Sequence, residues 1–390
     1  MVIQSVPVLL INYVNWYLMK TKEREKNRSK ILFVWSGLKI GGSERALLTL
    51  TQYLSHFYSP KILCHQHICE YPVFPSVEVV YVKSIIFKLP ILSKLIDKFF
   101  LFTSIYNYGR NVDSIISNEF PLLSIFSFIV ARLHKKKFII WNHSCRSELQ
   151  LSKNFIVELF YKYVISKTDH IVNVSNYSQE SLFSYMGKRL ANSCVIYNVV
   201  ECKVSNIPHK VLDKSSITIV AIGSLIREKN FSLLIKAVAV LKKVYALNLL
   251  VNICGDGQEK NSLAKLIDTL DLNEIVFLVG KVNNPLDYIQ SSDLLVSTSN
   301  SESFSLVVCE ALLLYKPVIV TNTGAAEVVE NGKYGIVIEK NNVEQLVAAI
   351  LEVANNSALV HSMVVGYEKT LSRFAPEMII PMWRLVLAEL

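Results

Sequence analysis

The chain has 390 residues, 51% of them hydrophobic and 19% charged, which excludes a disordered chain and exceeds what one hydrophobic core serves. Two domains of about 180 residues each are expected, with a ligand site between them. The net charge of +9 points to an anionic partner, and seven cysteines, odd in number and without a C-x-x-C pair, indicate neither a zinc site nor a disulfide framework.

Residues 1–18 are apolar with polar interruptions and a mixed charge run follows, "KTKEREKNRSK". This is shorter than the ~20 residues that a spanning helix needs, and it lacks a basic lead and a small-residue cleavage site. It is expected to be a peripheral extension. From Lys30 the pattern becomes regular: "ILFVW" (31–35) reads as a strand, "SGLKIGGSE" (36–44) as a glycine-bearing turn and "RALLTLTQYL" (45–54) as a helix. Further strands are expected at 114–117, 137–143 and 170–175, with helices at 119–133 and 153–166. Such alternation implies parallel strands joined by crossover helices.

A second cycle follows the polar stretch 205–216, with strands expected at 217–224, 248–255, 274–280, 294–298 and 317–321 and helices at 231–244, 258–270, 285–291 and 305–314. Two Rossmann-like halves result. In such sheets ligands bind beyond the carboxyl ends of the strands, where helix N-termini attract anions. Three loops of the second half lie there: "GSLIREKNF" (223–231) with Arg227 and Lys229, "GDGQ" (255–258), and "STSNSESFS" (297–305).

The stretch "SNSESFSLVVCEALLLYKPVIV" (299–320) sets Glu302 and Glu310 eight positions apart, which on one helix leaves them about 80° apart, able to serve one pocket. Each feature alone has a plainer account. Arg227, Glu228 and Lys229 could be a solvated run, and Gly255-Asp256-Gly257 lacks the third glycine of a dinucleotide fingerprint. Glu302 alone could be a helix-capping acid. Glu310, within an apolar helix, needs a partner or a ligand.

These segments, from "IGSLIREKNFSLLIKA" through "ICGDGQEKNSL" and "SESFSLVVCEAL" to "KPVIVTNTGAAEVVENGKYGIVIEKNN", resemble in order and spacing the family 4 retaining glycosyltransferases. The E-x7-E spacing matches that family's signature. The resemblance covers residues 30–390 and implies an α/β GT-B fold, two Rossmann-like doubly wound domains facing each other across a cleft. The implied division is an extension at 1–29, an acceptor domain at 30–205, a nucleotide-sugar domain at 206–375 and a C-terminal helix at 376–390 packing back on the first domain. It implies that Glu310 accepts from ribose hydroxyls, that Glu302 lies beside the donor sugar, that the amides of Phe304, Ser305 and Leu306 face the diphosphate, and that Lys229 neutralises it. Gly255 belongs to the same donor-binding set. "GGSE" resembles the flexible glycine loop, in which Gly41 and Gly42 let the backbone approach donor phosphates, and His143 in "WNHSCRSEL" falls where the family often carries an active-site histidine.

The sequence departs from the family pattern at three places. The usual Gly-Arg pair reads Gly223-Ser224, with Arg227 expected to reach the same phosphate. Ser303 and Tyr315 stand where glycines are usual. No cofactor is expected beyond the nucleotide-diphosphate sugar as co-substrate, and no metal, since cations and a helix N-terminus can stabilise the leaving diphosphate.

The segment 87–102 places Leu92, Leu95, Ile96 and Phe99 on one helical side and Lys94, Asp97 and Lys98 on the other. With "HKKK" (134–137) and residues 1–18 it suggests attachment to a membrane surface. The expected activity is sugar transfer from a nucleotide-diphosphate sugar, UDP favoured over GDP, to a lipid-linked or surface-glycan acceptor of lipopolysaccharide, capsule or glycoprotein assembly, on the cytoplasmic inner face of the membrane. The alternatives are a nucleotide-sugar 2-epimerase of the same fold and a non-catalytic nucleotide- or nucleic-acid-binding module. Cations placed singly at strand ends argue against nucleic acid as a partner.

Overall fold

The computed structural model describes residues 28–83, 90–148, 154–201 and 216–388. The apolar extension at 1–18 and residues 87–89 of the amphipathic segment lie outside the described residues.

The first half is a seven-stranded parallel sheet in the order β3-β2-β1-β4-β5-β6-β7. Its strands are β1 (Lys30–Trp35), β2 (Ser59–Cys64), β3 (Glu78–Tyr81), β4 (Ser114–Asn118), β5 (Lys137–Asn142), β6 (His170–Asn173) and β7 (Ser193–Val195). Crossovers are made by α1 (Gly42–Leu54), α2 (Pro90–Gly109), α3 (Pro121–Leu133), α4 (Phe155–Lys167) and α5 (Asn176–Met186). Strand alternation divides the core. Ile31, Phe33 and Trp35 of β1 pack with Leu47, Leu50 and Leu54 of α1 on one face. On the other face, Leu32 and Val34 meet residues of α2, α3 and α4, among them Leu101, Val130 and Val164.

The second half is a six-stranded parallel sheet in the order β10-β9-β8-β11-β12-β13. It comprises β8 (Ile217–Ile222), β9 (Leu249–Cys254), β10 (Val276–Gly280), β11 (Leu294–Ser297), β12 (Val318–Thr321) and β13 (Ile336–Ile338). The helices are α6 (Phe231–Tyr245), α7 (Lys260–Thr269), α8 (Pro285–Ser291), α9 (Leu306–Leu313), α10 (Gly324–Val328), α11 (Val343–Asn355), α12 (Ser357–Val364) and α13 (Glu368–Leu371). Strand order reverses between β1 and β4 in the first sheet and between β8 and β11 in the second, which creates a crevice beyond the carboxyl ends of each pair.

The last helix, α14 (Pro376–Ala388), returns to the first half. Trp383 is fully buried and meets Trp141 of β5 edge to face at 5.0 Å. Lys137, which the sequence placed in a cationic surface run, is buried, and its ammonium donates to the carbonyl of Val386 on α14. It is therefore unavailable to a membrane. A buried ammonium needs such a partner, and the last turn of the returning helix provides it, where carbonyls have no intrahelical donor.

Strands β2, β3, β7 and β13 escaped the sequence reading. β3, β7 and β13 have only three or four residues, and β2 carries Pro60 at its start. Among the described residues no single helix is long and apolar enough to cross a membrane; α11 and α12 pass by length and composition only as a pair bent by 96°.

Replacing Trp383 by alanine is expected to cost about 3–5 kcal/mol of stability, since no neighbour can fill the volume of a buried indole. Denaturant melts of variant and parent would measure it; a loss under about 1 kcal/mol would mean that α14 contributes little.

Candidate active site

Lys229 follows β8 and Glu302 follows β11, so the switch point of the second sheet brings the two together, and they form an ion pair. Ser299 donates to the same carboxylate oxygen at 3.3 Å. The stem of Lys229 runs over Gly223, where a Cβ would stand 3.3 Å from its Cε. Glu302 does not lie on the helix with Glu310, as the eight-residue spacing suggested. It sits in the loop before α9, because Ser305 at φ 83° turns the chain sharply just before Leu306 starts the helix. The two carboxylates share a site through this turn and not through helical periodicity.

Phe304 anchors the loop. It is buried against Tyr197 and Phe374, with ring centroids 5.8 Å and 5.0 Å away. Gly324 donates to the Glu302 carbonyl at 2.8 Å, and a Cβ there would stand 2.1 Å from the Ser303 carbonyl oxygen, so only glycine fits. The left-handed Ser305 holds its strained conformation between these anchors. The amides that open α9 have no intrahelical carbonyl to meet and concentrate partial positive charge at the loop.

Glu310 lies within α9 and is 6% exposed. Its partner is Arg45 of α1, from the other half of the chain. The second oxygen, Oε2, is buried without a hydrogen bond. Burial raises the Glu310 pKa, and the Arg45 guanidinium offsets part of that rise. Arg45 was absent from the sequence reading, although the signal was available: it follows the glycine loop directly and begins an apolar helix. Sequence spacing does not show which carboxylate of a second domain it meets.

Around the first switch point, Gly41 precedes α1 with extended φ, and Tyr71 fixes it by donating to its carbonyl at 3.0 Å and accepting from its amide at 3.1 Å. A Cβ at Gly42 would meet nothing within 4 Å, which leaves this backbone open to approach. His143, after β5, packs on Trp141 and Trp35, its Nε2 is buried without a partner, and burial pushes its pKa down to about 3. Its amide donates at 3.2 Å to Glu119, after β4, whose carboxyl burial pushes up to about 7, with the nearby Glu44 adding to the rise. Glu119 also escaped the sequence reading.

Two predicted residues stand apart. Arg227 is exposed in the 3-10 turn Arg227–Lys229 and shares no ion pair with Glu302 or Glu310. Gly255 has a packing explanation: a Cβ there would stand 1.8 Å from the Gly223 carbonyl oxygen, so the loops after β8 and β9 touch through backbone alone. Tyr315, where the family usually has glycine, adopts φ 55° and packs edge to face on Tyr367 at 5.7 Å.

The halves are also clasped beside the site. Glu327 of α10 accepts from the Asn176 and Tyr177 amides opening α5, at 3.1 Å and 2.5 Å. Lys340 pairs with Glu148, and Lys281 with Glu70. Among the described residues no group of three or more His, Cys, Asp or Glu side chains is arranged to hold a metal ion.

Residues 205–368, which contain the Lys229, Glu302 and Glu310 loops, match the glycosyl transferases group 1. A curated relative from Campylobacter jejuni, N-acetylgalactosamine-N,N'-diacetylbacillosaminyl-diphospho-undecaprenol 4-alpha-N-acetylgalactosaminyltransferase, is 29% identical over 80% of this chain and 86% of its own. The chain is a glycosyltransferase with a group 1 domain at 205–368. A poly(ribitol-phosphate) alpha-N-acetylglucosaminyltransferase of Staphylococcus aureus is 30% identical over 42% of this chain and 33% of its own. In fold, this glycosyltransferase superposes on Anabaena Alr3699/HepE in complex with UDP-glucose with a TM-score of 0.76 at 20% identity, over 93% of this chain and all of that one. The architecture is GT-B.

The lowered pKa of His143 has a consequence for stability. A base held neutral in the fold supports stability fully above its unfolded value of 6.5, and that stability is lost as pH falls towards about 3. His143→Gln, which cannot take the charge, should therefore gain on the parent as pH falls from 7 to 4. Denaturant midpoints across that range would show it; parallel profiles would mean that the ring is hydrated in solution.

Proposed function

We propose that the enzyme transfers a sugar from a nucleotide-diphosphate sugar, UDP favoured over GDP, to a lipid-linked or surface-glycan acceptor with retention of anomeric configuration, as the family 4 resemblance implies. The observation that carries this reading is the placement of two carboxylate–cation pairs where the halves meet, with one oxygen of Glu310 left buried and unpartnered. A ribose hydroxyl donating to that oxygen would meet the need of a desolvated acceptor. Glu302 would lie at the sugar. Lys229, the Phe304, Ser305 and Leu306 amides and the α9 N-terminus would face the diphosphate, with Arg227 as a second cation from the same turn.

Breaking the bond between the anomeric carbon and the diphosphate oxygen moves negative charge to the leaving group and positive charge to the carbon. Fixed donors on one side and a carboxylate on the other lower that barrier without reorganising. The Campylobacter relative supports a lipid-diphosphate acceptor and the staphylococcal one a polymeric acceptor, while the UDP-glucose complex of the structural neighbour supports a UDP-sugar donor. Assembly of a bacterial surface glycan on the inner face of the membrane fits both.

Lys229→Ala and Glu302→Gln are each expected to lower turnover about 10²–10³-fold, the usual cost of one removed transition-state partner. Product anomer analysis by NMR, with undecaprenyl-linked glycans and UDP-sugars as substrates, tests the reaction. Inversion of the anomer, donor turnover independent of any acceptor, or undiminished activity of both variants would each refute the reading. Arg45→Ala is expected to leave Glu310 uncompensated and to change the affinity for UDP more than the turnover of bound donor; calorimetry beside steady-state kinetics separates the two, and unchanged affinity would detach Arg45 from the nucleotide site.

A further inference from the structure

Helix α4 is apolar on both sides, and only one side is covered. Tyr161, Val164 and Ile165 are buried in the core of the first half. On the opposite side Phe155 is 77% exposed, Ile156 63%, Leu159 58%, Phe160 55% and Tyr163 55%. At about 100° per residue these five span roughly 140° of the helix, one unbroken stripe about 12 Å long. A helix that is apolar all round belongs in a core or a membrane, and half of this one has no cover from the described residues.

The rim of the stripe is cationic. Lys162 flanks one edge, its ammonium 4.6 Å from the centre of the Tyr185 ring, and Lys167 closes the C-terminal end; Arg132 of α3 donates to the Lys167 carbonyl at 2.6 Å and pairs with Asp169, so the ends of the two helices adjoin. Lys135 and Lys136 follow α3 immediately. Acids are scarce: across α2, α3 and α4 the sequence has only Asp97 and Glu158, and Glu158 is buried against Arg146. A two-fold pairing of this face with a second copy would set its lysines against their own images with almost no acids to meet them.

We propose that the exposed face of α4 is the seat on which the protein rests on an anionic lipid bilayer, with Phe155, Ile156, Leu159 and Phe160 entering the acyl boundary and Lys162 and Lys167 at the headgroups. Sequence patterning pointed instead to 1–18 and 87–102. Of the latter, Leu95 and Phe99 of α2 are exposed, 58% and 63%, and α3 lies between α2 and α4, so α2 extends the same side of the molecule. The seat adds to the membrane-side acceptor proposed above, but its test reads binding alone, so its failure would leave the transfer chemistry standing.

The full chain should sediment with phosphatidylcholine vesicles containing about 30% phosphatidylglycerol, less with pure phosphatidylcholine, and less again at high salt. The triple change Phe155→Ser, Ile156→Ser, Phe160→Ser is expected to weaken partitioning at least about tenfold, since three side chains lose their apolar transfer. Its thermal melt should be unchanged, because none of the three is in the core. Lys162→Gln with Lys167→Gln should weaken it several-fold and flatten the salt dependence. Wild-type-like sedimentation of the triple variant would overturn the seat. So would failure of the wild type to bind either vesicle, or light scattering that shows a wild-type dimer and a monomeric triple variant.

Discussion

A buried carboxylate sits where the two halves of this chain meet. Glu310 is carried by an apolar helix, α9, and its nearest relief is a guanidinium from the other domain. Desolvation of that kind costs several kcal/mol unless a partner or ligand answers it, and Arg45 answers on one oxygen only. Much of the surrounding architecture follows from holding this group in place. The left-handed turn at Ser305 starts α9 where Glu310 faces α1, and the buried Phe304 keeps that turn from relaxing. Tyr71 pins the glycine loop from which α1 and Arg45 emerge.

Topology explains why the charged groups converge. Each half is doubly wound, so each has one place where neighbouring crossovers leave the sheet in opposite directions. Arg45 and Glu119 flank that place in the first half; Lys229 and Glu302 flank it in the second. Facing the two crevices towards each other produces crossed pairs, one within a domain and one between domains. The interdomain pair depends on how the halves are set, and the Glu327 clasp on the α5 amides, together with the Lys340–Glu148 and Lys281–Glu70 pairs, fixes that setting. The setting of the two halves and the candidate site are thus tied together by which residues share a bond.

The repeating strand–loop–helix pattern was legible because buried parallel strands are nearly continuous apolar runs, as at Leu32–Trp35 and Ile219–Ala221, and the loops after them carry the glycines and charges. Glu302, Glu310 and Lys229 were legible for the same reason, since a charge beside an apolar run is conspicuous. Periodicity misled at Glu302, where one positive φ removes it from the helix. Arg45 and Glu119 were missed because their meaning lies in contacts 265 and 24 positions away, with Glu310 and His143. The solvent-facing side of α4 was hidden for a different cause: a helix apolar on both sides shows no amphipathic period, so its sequence reads as plain core.

The returning helix α14 also bears on how the protein is made. Trp383 closes over Trp141, and the Val386 carbonyl accepts from buried Lys137, so parts of the first half are sealed by residues as much as 249 positions further along the chain. While the ribosome is still supplying the second half, that apolar face and its ammonium have no lid. The amino-terminal domain therefore waits, incomplete, until the second half and the helix after it have emerged, and the two domains reach maturity together although one was synthesised first.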